Sequence, residues 1–300
     1  DQTLREVHGR LPAAEFLEWG IGRGIFVREA SGAVTRGPHW GDPRRFCDSE
    51  EEFQELLSAT PAVPGLASAG PRPANEVSRR LKLDQAIGRE AIHAELRVEE
   101  LQRIAPFRVV TTAAATKEAH LNSPELGSRL SAESLATLTP EHRQVQILVS
   151  DGLSAEAVHH NMPDLLPVLF DGLSGCGWTT GQPLLARYGR VKLAEPIAER
   201  LQADLIVYLI GERPGGDALA SRSLSAYLVY RLGDPEQRAA AQFSGNPAVR
   251  FEYTVISNIY SGGLPPAEAA GVIVEKVGDI LGLKAAGNRL EALLKTAAPA

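Results

Sequence analysis

Apolar positions are spaced in two different ways along this 300-residue chain. In the first third they recur at helical intervals. The segment LREVHGRLPAAEFLEWGIGRGI sets Leu11, Phe16, Trp19 and Ile25 between hydrophilic positions, which predicts one or two amphipathic helices across residues 4–25. DSEEEFQELLSA predicts a short helix, with Asp48 or Ser49 as its cap and Glu50, Glu51 and Glu52 at the positive end of its dipole. EVSRRLKLDQAIGREAIHAEL places Val77, Leu81, Ala86, Ile87 and Ala91 on one stripe with charges opposite. Between these helices, Gly32, Gly37, Pro38, Gly41 and Pro43 predict a loop, and TPAVPGLASAGPRPANE, with Pro61, Pro64, Pro71 and Pro73, predicts a linker and a domain boundary.

The pattern then changes. PFRVVTTAA predicts a strand and SPELGSRLSAESLATL a helix with a polar cap. VQILVS, DLIVYLIG and YTVISNIY are unalternating apolar runs, each ending in a turn. Between the first two, LSAEAVHHNMPDLLPVLFDGL predicts a helix with a proline-containing interruption. After the third, Pro265 and Pro266 suit the first turn of the helix PPAEAAGVIVEKVGDIL. Buried strands joined by helices predict an α/β fold, a doubly wound, Rossmann-like and mostly parallel sheet preceded by a helical N-terminal region. The expected organisation is an appendage over residues 1–60, a Pro-rich linker over 61–75, a helical region over 76–95, the Rossmann-like domain over 96–282 and a helical tail over 283–300. Ligands of such sheets sit beyond the carboxyl ends of the strands. The candidate loops there are 150–152, 211–216 and 257–263.

Composition narrows the classes of function. With 44% hydrophobic and 23% charged residues, the chain has the material for a core. Lys plus Arg is 31 and Asp plus Glu is 37, giving a formal charge of −6, so no basic face for nucleic acid is expected. No apolar run approaches the ~18 residues of a membrane span. Two cysteines, Cys47 and Cys176, build neither a disulfide framework nor a zinc site, which fits a reducing, cytoplasmic setting. The opening DQTLREVHGR has no initiator methionine and no signal-peptide core, which predicts that translation starts upstream of Asp1.

Motif absences are informative. No G-x-G-x-x-G follows a strand, no P-loop occurs, and GLSGC over residues 172–176 fails the nucleophile-elbow pattern. His159 and His160 are adjacent, cannot jointly face one metal on a helix, and are expected on a solvated surface. Glu212-Arg213-Pro214-Gly215-Gly216 offers a carboxylate and approachable backbone at a strand end, against the alternative of an ordinary tight connection. Arg187 and Arg190 flank Tyr188 and suit either an anion clamp or ion pairs with a partner subunit, against the alternative of solvated charge. Asp151 is expected to cap the next helix rather than to meet a ligand. Ser257 and Asn258 are weighed in the same way, turn chemistry ahead of ligand contact.

Taken in order, VSDGLSAEAV, ARYGRVKL, LIGERPG, SLSAYLVY and ISNIYSGGLPPAEAA closely resemble the small (light) subunit of ethanolamine ammonia-lyase, with matching spacing over residues 70–281. AGPRPANEVSRRLKLDQAIGREAIHAEL and SPELGSRLSAESL resemble that subunit's helical N-terminal region. The resemblance implies a carbon–nitrogen lyase that uses adenosylcobalamin to convert ethanolamine to acetaldehyde and ammonia. It implies a hetero-oligomer in which a large TIM-barrel subunit holds ethanolamine and this subunit closes over the cobalamin, in the cytoplasm or within a bacterial microcompartment. The family's cobalamin-contacting positions carry over onto Val191, Glu212 and Val255; no catalytic and no metal-binding residue is expected on this chain.

Two departures stand out. Val255 lies where the family commonly has cysteine, and Tyr260 where histidine is frequent. The insertion DPEQRAAAQFSGNPAVRFE is also longer than usual. LREVHGRLPAAEFLEWGIGRGIF resembles the C-terminal end of the large subunit, which implies that residues 1–60 belong to a large–small subunit fusion. The rival readings are a non-catalytic assembly subunit without cofactor binding and a stand-alone enzyme on a Rossmann-like sheet.

Overall fold

Val145, Ile147 and Val149 alternate with Gln146, Leu148 and Ser150, and all six are buried. A strand apolar or buried on both sides has to be covered on both faces, and this one is central to a six-stranded sheet. The computed structural model describes residues 13–40, 42–58, 68–69, 72–73, 75–212, 220–233 and 250–297. The chain divides into two compact units, Asp1–Lys82 and Leu83–Ala300, within helix Asn75–His93.

In the first unit, helix α1 (Ala13–Gly22) is followed by the hairpin of β1 (Phe26–Arg28) and β2 (Val34–Arg36). Phe16, Ile25 and Phe53 are buried, and Phe16 stacks on Trp19 and meets Phe26 edge-on. The Arg23 guanidinium lies over Trp19, 4.5 Å from the ring centre, and pairs with Asp48. Helix α2 (Glu50–Ser58) is capped by Ser49, whose Oγ accepts the Glu52 N–H at 3.1 Å, while Glu52 accepts the Asp48 N–H at 2.6 Å. Asp48 is therefore not the cap. The predicted helix over residues 4–25 is described only from Ala13 onward; residues 1–12 and most of the Pro-rich linker lie outside the described residues. Two short paired segments, β3 (Ser68–Ala69) and β4 (Arg72–Pro73), precede helix α3 (Asn75–His93).

The second unit is a mixed α/β layer structure. Strands β5 (Arg108–Thr111), β6 (Val145–Ser150), β7 (Leu184–Arg187) and β8 (Leu205–Gly211) are parallel, in spatial order β8-β6-β7-β5. β9 (Leu224–Arg231) adds antiparallel to β8, and β10 (Phe251–Ile259) antiparallel to β9. The run YTVISNIY is thus an edge strand in an antiparallel pair, not a buried parallel one, and most of its side chains are half-buried or exposed. Short helices α4 (Val98–Gln102), α5 (Lys117–Asn122) and α6 (Ala132–Thr137) flank β5 in the sequence. Ser131 caps α6, and the segment before it holds only a turn at Leu126–Ser128.

Alternation divides the sheet's side chains between two cores. Val145, Ile147, Val149, Leu205, Val207 and Leu209 pack with helices α7 (Ala155–Gly175) and α9 (Pro266–Leu283) on one face. Leu148, Leu184, Ala186, Ile206, Tyr208 and Ile210 pack with α8 (Ala194–Leu201) on the other. Helix α10 (Gly287–Ala297) closes the chain on the α7 face, where Leu290 is buried. The interruption expected from Pro163 and Pro167 does not occur: α7 runs through both. The prolines stand one turn apart on the exposed side, while Met162, Leu165, Leu166 and Leu169 point inward. Among the described residues no helix is long and apolar enough to cross a membrane.

Candidate functional site

Register sets the loops of interest along one edge of the sheet. Thr111 stands opposite Arg187, and Ser150 opposite both Ala186 and Ile210. β9 begins at this edge with Leu224 opposite Gly211, and β10 ends there with Ile259 opposite Leu224. Residues 213–216 of the second predicted loop lie outside the described residues. Asn258 is held at φ 59°, and its carbonyl accepts the Leu264 N–H at 2.8 Å, so its backbone does turn chemistry.

The first loop is not open to a ligand: Ser150 and Asp151 are fully buried. Asp151 does not cap α7; Ser154 does, accepting the Ala157 N–H at 3.1 Å. Asp151 instead pairs with Lys117 of α5, with Nζ and Oδ2 3.2 Å apart and both side chains buried. Its other oxygen accepts the Ser150 hydroxyl at 3.2 Å and the Tyr188 backbone N–H at 2.6 Å. Burial pushes the Asp151 carboxyl above the usual range, and the Lys117 ammonium pulls it back. Lys117 was missed at the level of sequence. A lysine in the first turn of a helix opposes the dipole unless a carboxylate meets it, and that unread signal is the one in the sequence that marks it.

The loop after β7 is fixed by successive donors. Tyr188 adopts φ 59° with its N–H on Asp151, the Gly189 N–H reaches Ser150 Oγ at 2.9 Å, and the Arg190 N–H reaches the Gly127 carbonyl at 2.9 Å. A Cβ on Gly189 would lie 2.2 Å from the Tyr208 hydroxyl, so only glycine fits. The Tyr188 hydroxyl donates to Glu95, and burial together with that carboxylate pushes its pKa up to about 12. His120 is buried and joined through Nε2 to the Gly152 carbonyl at 2.8 Å; burial and the nearby Arg190 hold it down at about 4. Arg190 donates to the His120 carbonyl, so it supports the loop from behind. Arg187 instead lines an open pocket of about 450 Å³ with Thr111, Thr112, Ser131, Glu133 and Tyr188.

The α8 face of β9 and β10 is different in kind. Phe251, Tyr253 and Val255 alternate onto this face, and Val255 is 45% exposed. Val255 stands opposite Tyr227, whose hydroxyl donates to the Glu212 carboxylate at 3.1 Å. Burial and that carboxylate push the Tyr227 hydroxyl up to about 12. Val191 opens the turn leading into α8, and the adjacent Lys192 lies 4.8 Å over the Tyr253 ring while pairing with Glu195 at 2.6 Å. Glu195 also accepts from the Tyr253 hydroxyl. Glu212 and Val255 are thus joined through Tyr227, and the turn of Val191 is joined to β10 through Lys192 and Tyr253. The result is an apolar strip edged by carboxylates, an ammonium and phenols.

His159 departs from expectation. Its side chain is 5% exposed and its Nε2 accepts the Arg97 N–H at 3.0 Å, so it joins the segment before α4 to α7. His160 is exposed.

Comparison with known proteins follows the same span. The model of the family described as "Ethanolamine ammonia-lyase light chain (EutC)" matches residues 50–291. A curated ethanolamine ammonia-lyase small subunit from Clostridium tetani is 34% identical over 248 residues, covering 81% of this chain and 79% of that protein. Its counterpart from Fusobacterium nucleatum is 35% identical over 248 residues, covering 81% of this chain and 78% of that one.

Proposed function

This chain belongs to the ethanolamine ammonia-lyase light-chain family and is a subunit of a lyase, and from that premise we propose that it forms the wall that closes over adenosylcobalamin against a large subunit. In this reading the complex converts ethanolamine to acetaldehyde and ammonia, and the fold is a doubly wound, Rossmann-like sheet with α7 and α9 on one face and α8 on the other. Adenosylcobalamin would supply radical chemistry when bound, and this chain's residues would bind and orient it and exclude water.

The observation that carries the reading is the strip on the α8 face. Cobalamin presents an apolar ring edge fringed with amide side chains, so it needs flat apolar surface with hydrogen-bonding groups at the rim. Val255, beside Phe251 and Tyr253, supplies the first, with Val191 in the adjoining turn; Glu212, Lys192 and Glu195 supply the second. Glu212 would accept from an amide N–H, with Tyr227 fixing its carboxylate. A main-chain contact at Val255 survives the exchange of cysteine for valine, since it does not need a thiol. Large-subunit groups, not residues of this chain, would meet ethanolamine.

The expected fusion segment 1–60 narrows, since the family match begins at residue 50: we further propose that residues 1–49 derive from the end of a large subunit. A stop codon or an unrelated domain immediately upstream in the gene would remove that proposal.

The test of function is co-expression with a large subunit, a cobalamin difference spectrum and an ammonia-release assay. Glu212→Ala is expected to weaken cobalamin uptake without unfolding the chain. Assembly with no uptake by the wild type would favour a non-catalytic assembly subunit, and activity of the isolated chain would favour a stand-alone enzyme.

A further inference from the structure

In open parallel sheets the crevice between strands whose crossovers leave in opposite directions is where ligands enter. Here that crevice lies between β6 and β7: the connection from β6 runs through α7 on one face, and the connection from β7 runs through α8 on the other. It is filled by the chain itself. Lys117 enters from α5 and meets Asp151 at the tip of β6, with 5% and 0% of the two side chains exposed. What this plug holds is the segment that follows β7. Asp151 takes the Tyr188 N–H, Ser150 takes the Gly189 N–H, and the Lys117 ammonium lies 5.6 Å over the Tyr188 ring. Tyr188 is kept at φ 59°, a conformation a tyrosine adopts only under such constraint. The next residues in the chain are Arg190, Val191 and Lys192.

We propose that Asp151, held by Lys117, is a positioning residue that pre-organises residues 188–192 for ligand binding without touching the ligand. The inference rests on the reading of Val191 and Lys192 as part of the cobalamin wall. In it, the pair has converted the usual ligand crevice into a support and moved binding to the β8–β10 half of the sheet. A buried ion pair is a poor source of net stability, since desolvation offsets attraction, so its value here is in fixing one geometry.

The test uses the full chain assembled with its large subunit. Asp151→Ala removes the acceptor for Tyr188. Lys117→Gln with Asp151→Asn replaces the ion pair by a neutral amide pair that keeps an acceptor oxygen for the Tyr188 N–H. Three quantities are read: Kd for cyanocobalamin by visible titration, kcat at saturating adenosylcobalamin, and hydrogen exchange of the amides of residues 188–190. If the loop is correctly placed only a tenth of the time, Asp151→Ala weakens Kd about tenfold. It also speeds exchange at residues 188–190 and leaves kcat at saturation near wild type, while the double variant recovers both Kd and protection. Should Asp151→Ala fail to fold, Ser150→Ala, which removes the Gly189 acceptor and the hydroxyl donated to Asp151 but leaves the Tyr188 acceptor in place, is expected to move Kd and exchange the same way to a smaller degree. Unchanged exchange, or a double variant whose Kd is as weak as that of Asp151→Ala, overturns the inference. Val191→Trp separates the two levels. If it leaves Kd unchanged, the cobalamin wall is misplaced; if it weakens Kd while Asp151→Ala does not, only the positioning role fails.

Discussion

The Asp151 carboxylate accepts the backbone N–H of Tyr188 at 2.6 Å across 37 positions of sequence. This bond ties the carboxyl ends of β6 and β7, and just beyond β7 the chain turns sharply through a tyrosine at φ 59° and a glycine with no room for a Cβ. The turn is therefore set by tertiary contacts rather than by local propensity.

Gly189→Ala tests how tightly that turn is built. The new methyl group would stand 2.2 Å from the Tyr208 hydroxyl and 2.5 Å from Ser150 Oγ, both fully buried. Overpacking of this kind costs about 1–3 kcal/mol. The expected outcome is a lower urea midpoint with an unchanged m-value; an unshifted midpoint contradicts the packing described.

His120 gives the unit a pH dependence. Its pKa is held near 4 in the folded chain against 6.5 for the free group. The unfolded chain therefore binds the proton more readily between those values. Stability present above pH 6.5 falls as the pH is lowered and is fully lost below 4, by roughly 3 kcal/mol. Asp151, held above its ordinary range, works in the opposite sense, so comparison of variants isolates the histidine. His120→Gln keeps a donor for the Gly152 carbonyl and cannot titrate. The difference between Tm at pH 7 and at pH 5 is expected to shrink in this variant; an equal difference in both proteins places the effect elsewhere.

The sheet was legible where a strand is apolar throughout. VQILVS and DLIVYLIG need cover on both faces, and they became β6 and β8. β7 was not anticipated: Leu184–Arg187 is four residues long and follows Gln182 and Pro183, so its strand character comes from neighbours on both sides. YTVISNIY has the composition of a strand, but apolar runs carry no mark of direction, and its antiparallel edge position was hidden. Asp151 and His159 were misread for a related reason. A short polar side chain beside a helix start looks like a cap, and a helical histidine looks solvated, until a distant Lys117, Tyr188 or Arg97 arrives to meet it. Glu212 was legible as a carboxylate at a strand end and was assigned to cobalamin through resemblance, as was Val255; what sequence did not show is the phenol of Tyr227 that links them.

Tyr208 is a buried side chain whose hydroxyl, among the described residues, has no hydrogen-bond partner, although Ser150 is close by. Ser150 already donates to Asp151 and accepts from Gly189, which leaves the phenol poorly served. Burial pushes that phenol far up. An unsatisfied buried hydroxyl carries a desolvation penalty of about 1–3 kcal/mol, so Tyr208→Phe is expected to leave stability unchanged or raise it. A fall in Tm would mean that the hydroxyl is bonded after all.

The two faces of β10 separate stability from binding, and Glu252 is the residue on which this can be tried. It alternates to the side opposite Val255. There it takes Arg289 of α10 through two bonds of 2.7 Å and the Ala286 N–H at 2.9 Å. The side chains of Arg289 and Glu252 are 17% and 11% exposed, between a surface pair and a buried one. Glu252→Ala strands the guanidinium and is expected to cost roughly 2 kcal/mol, above the ~1 kcal/mol ceiling of surface pairs and below the 3–5 of fully buried ones. Because the loss falls on the α10 side of the sheet, Kd for cobalamin in the assembled complex should stay at its wild-type value while the chain's Tm drops. Glu212→Ala should do the reverse. A Glu252 variant that weakens cobalamin binding as much as the Glu212 variant does would show that the two faces of the strand are not independent, and the assignment of ligand contacts to the α8 face alone would have to be given up.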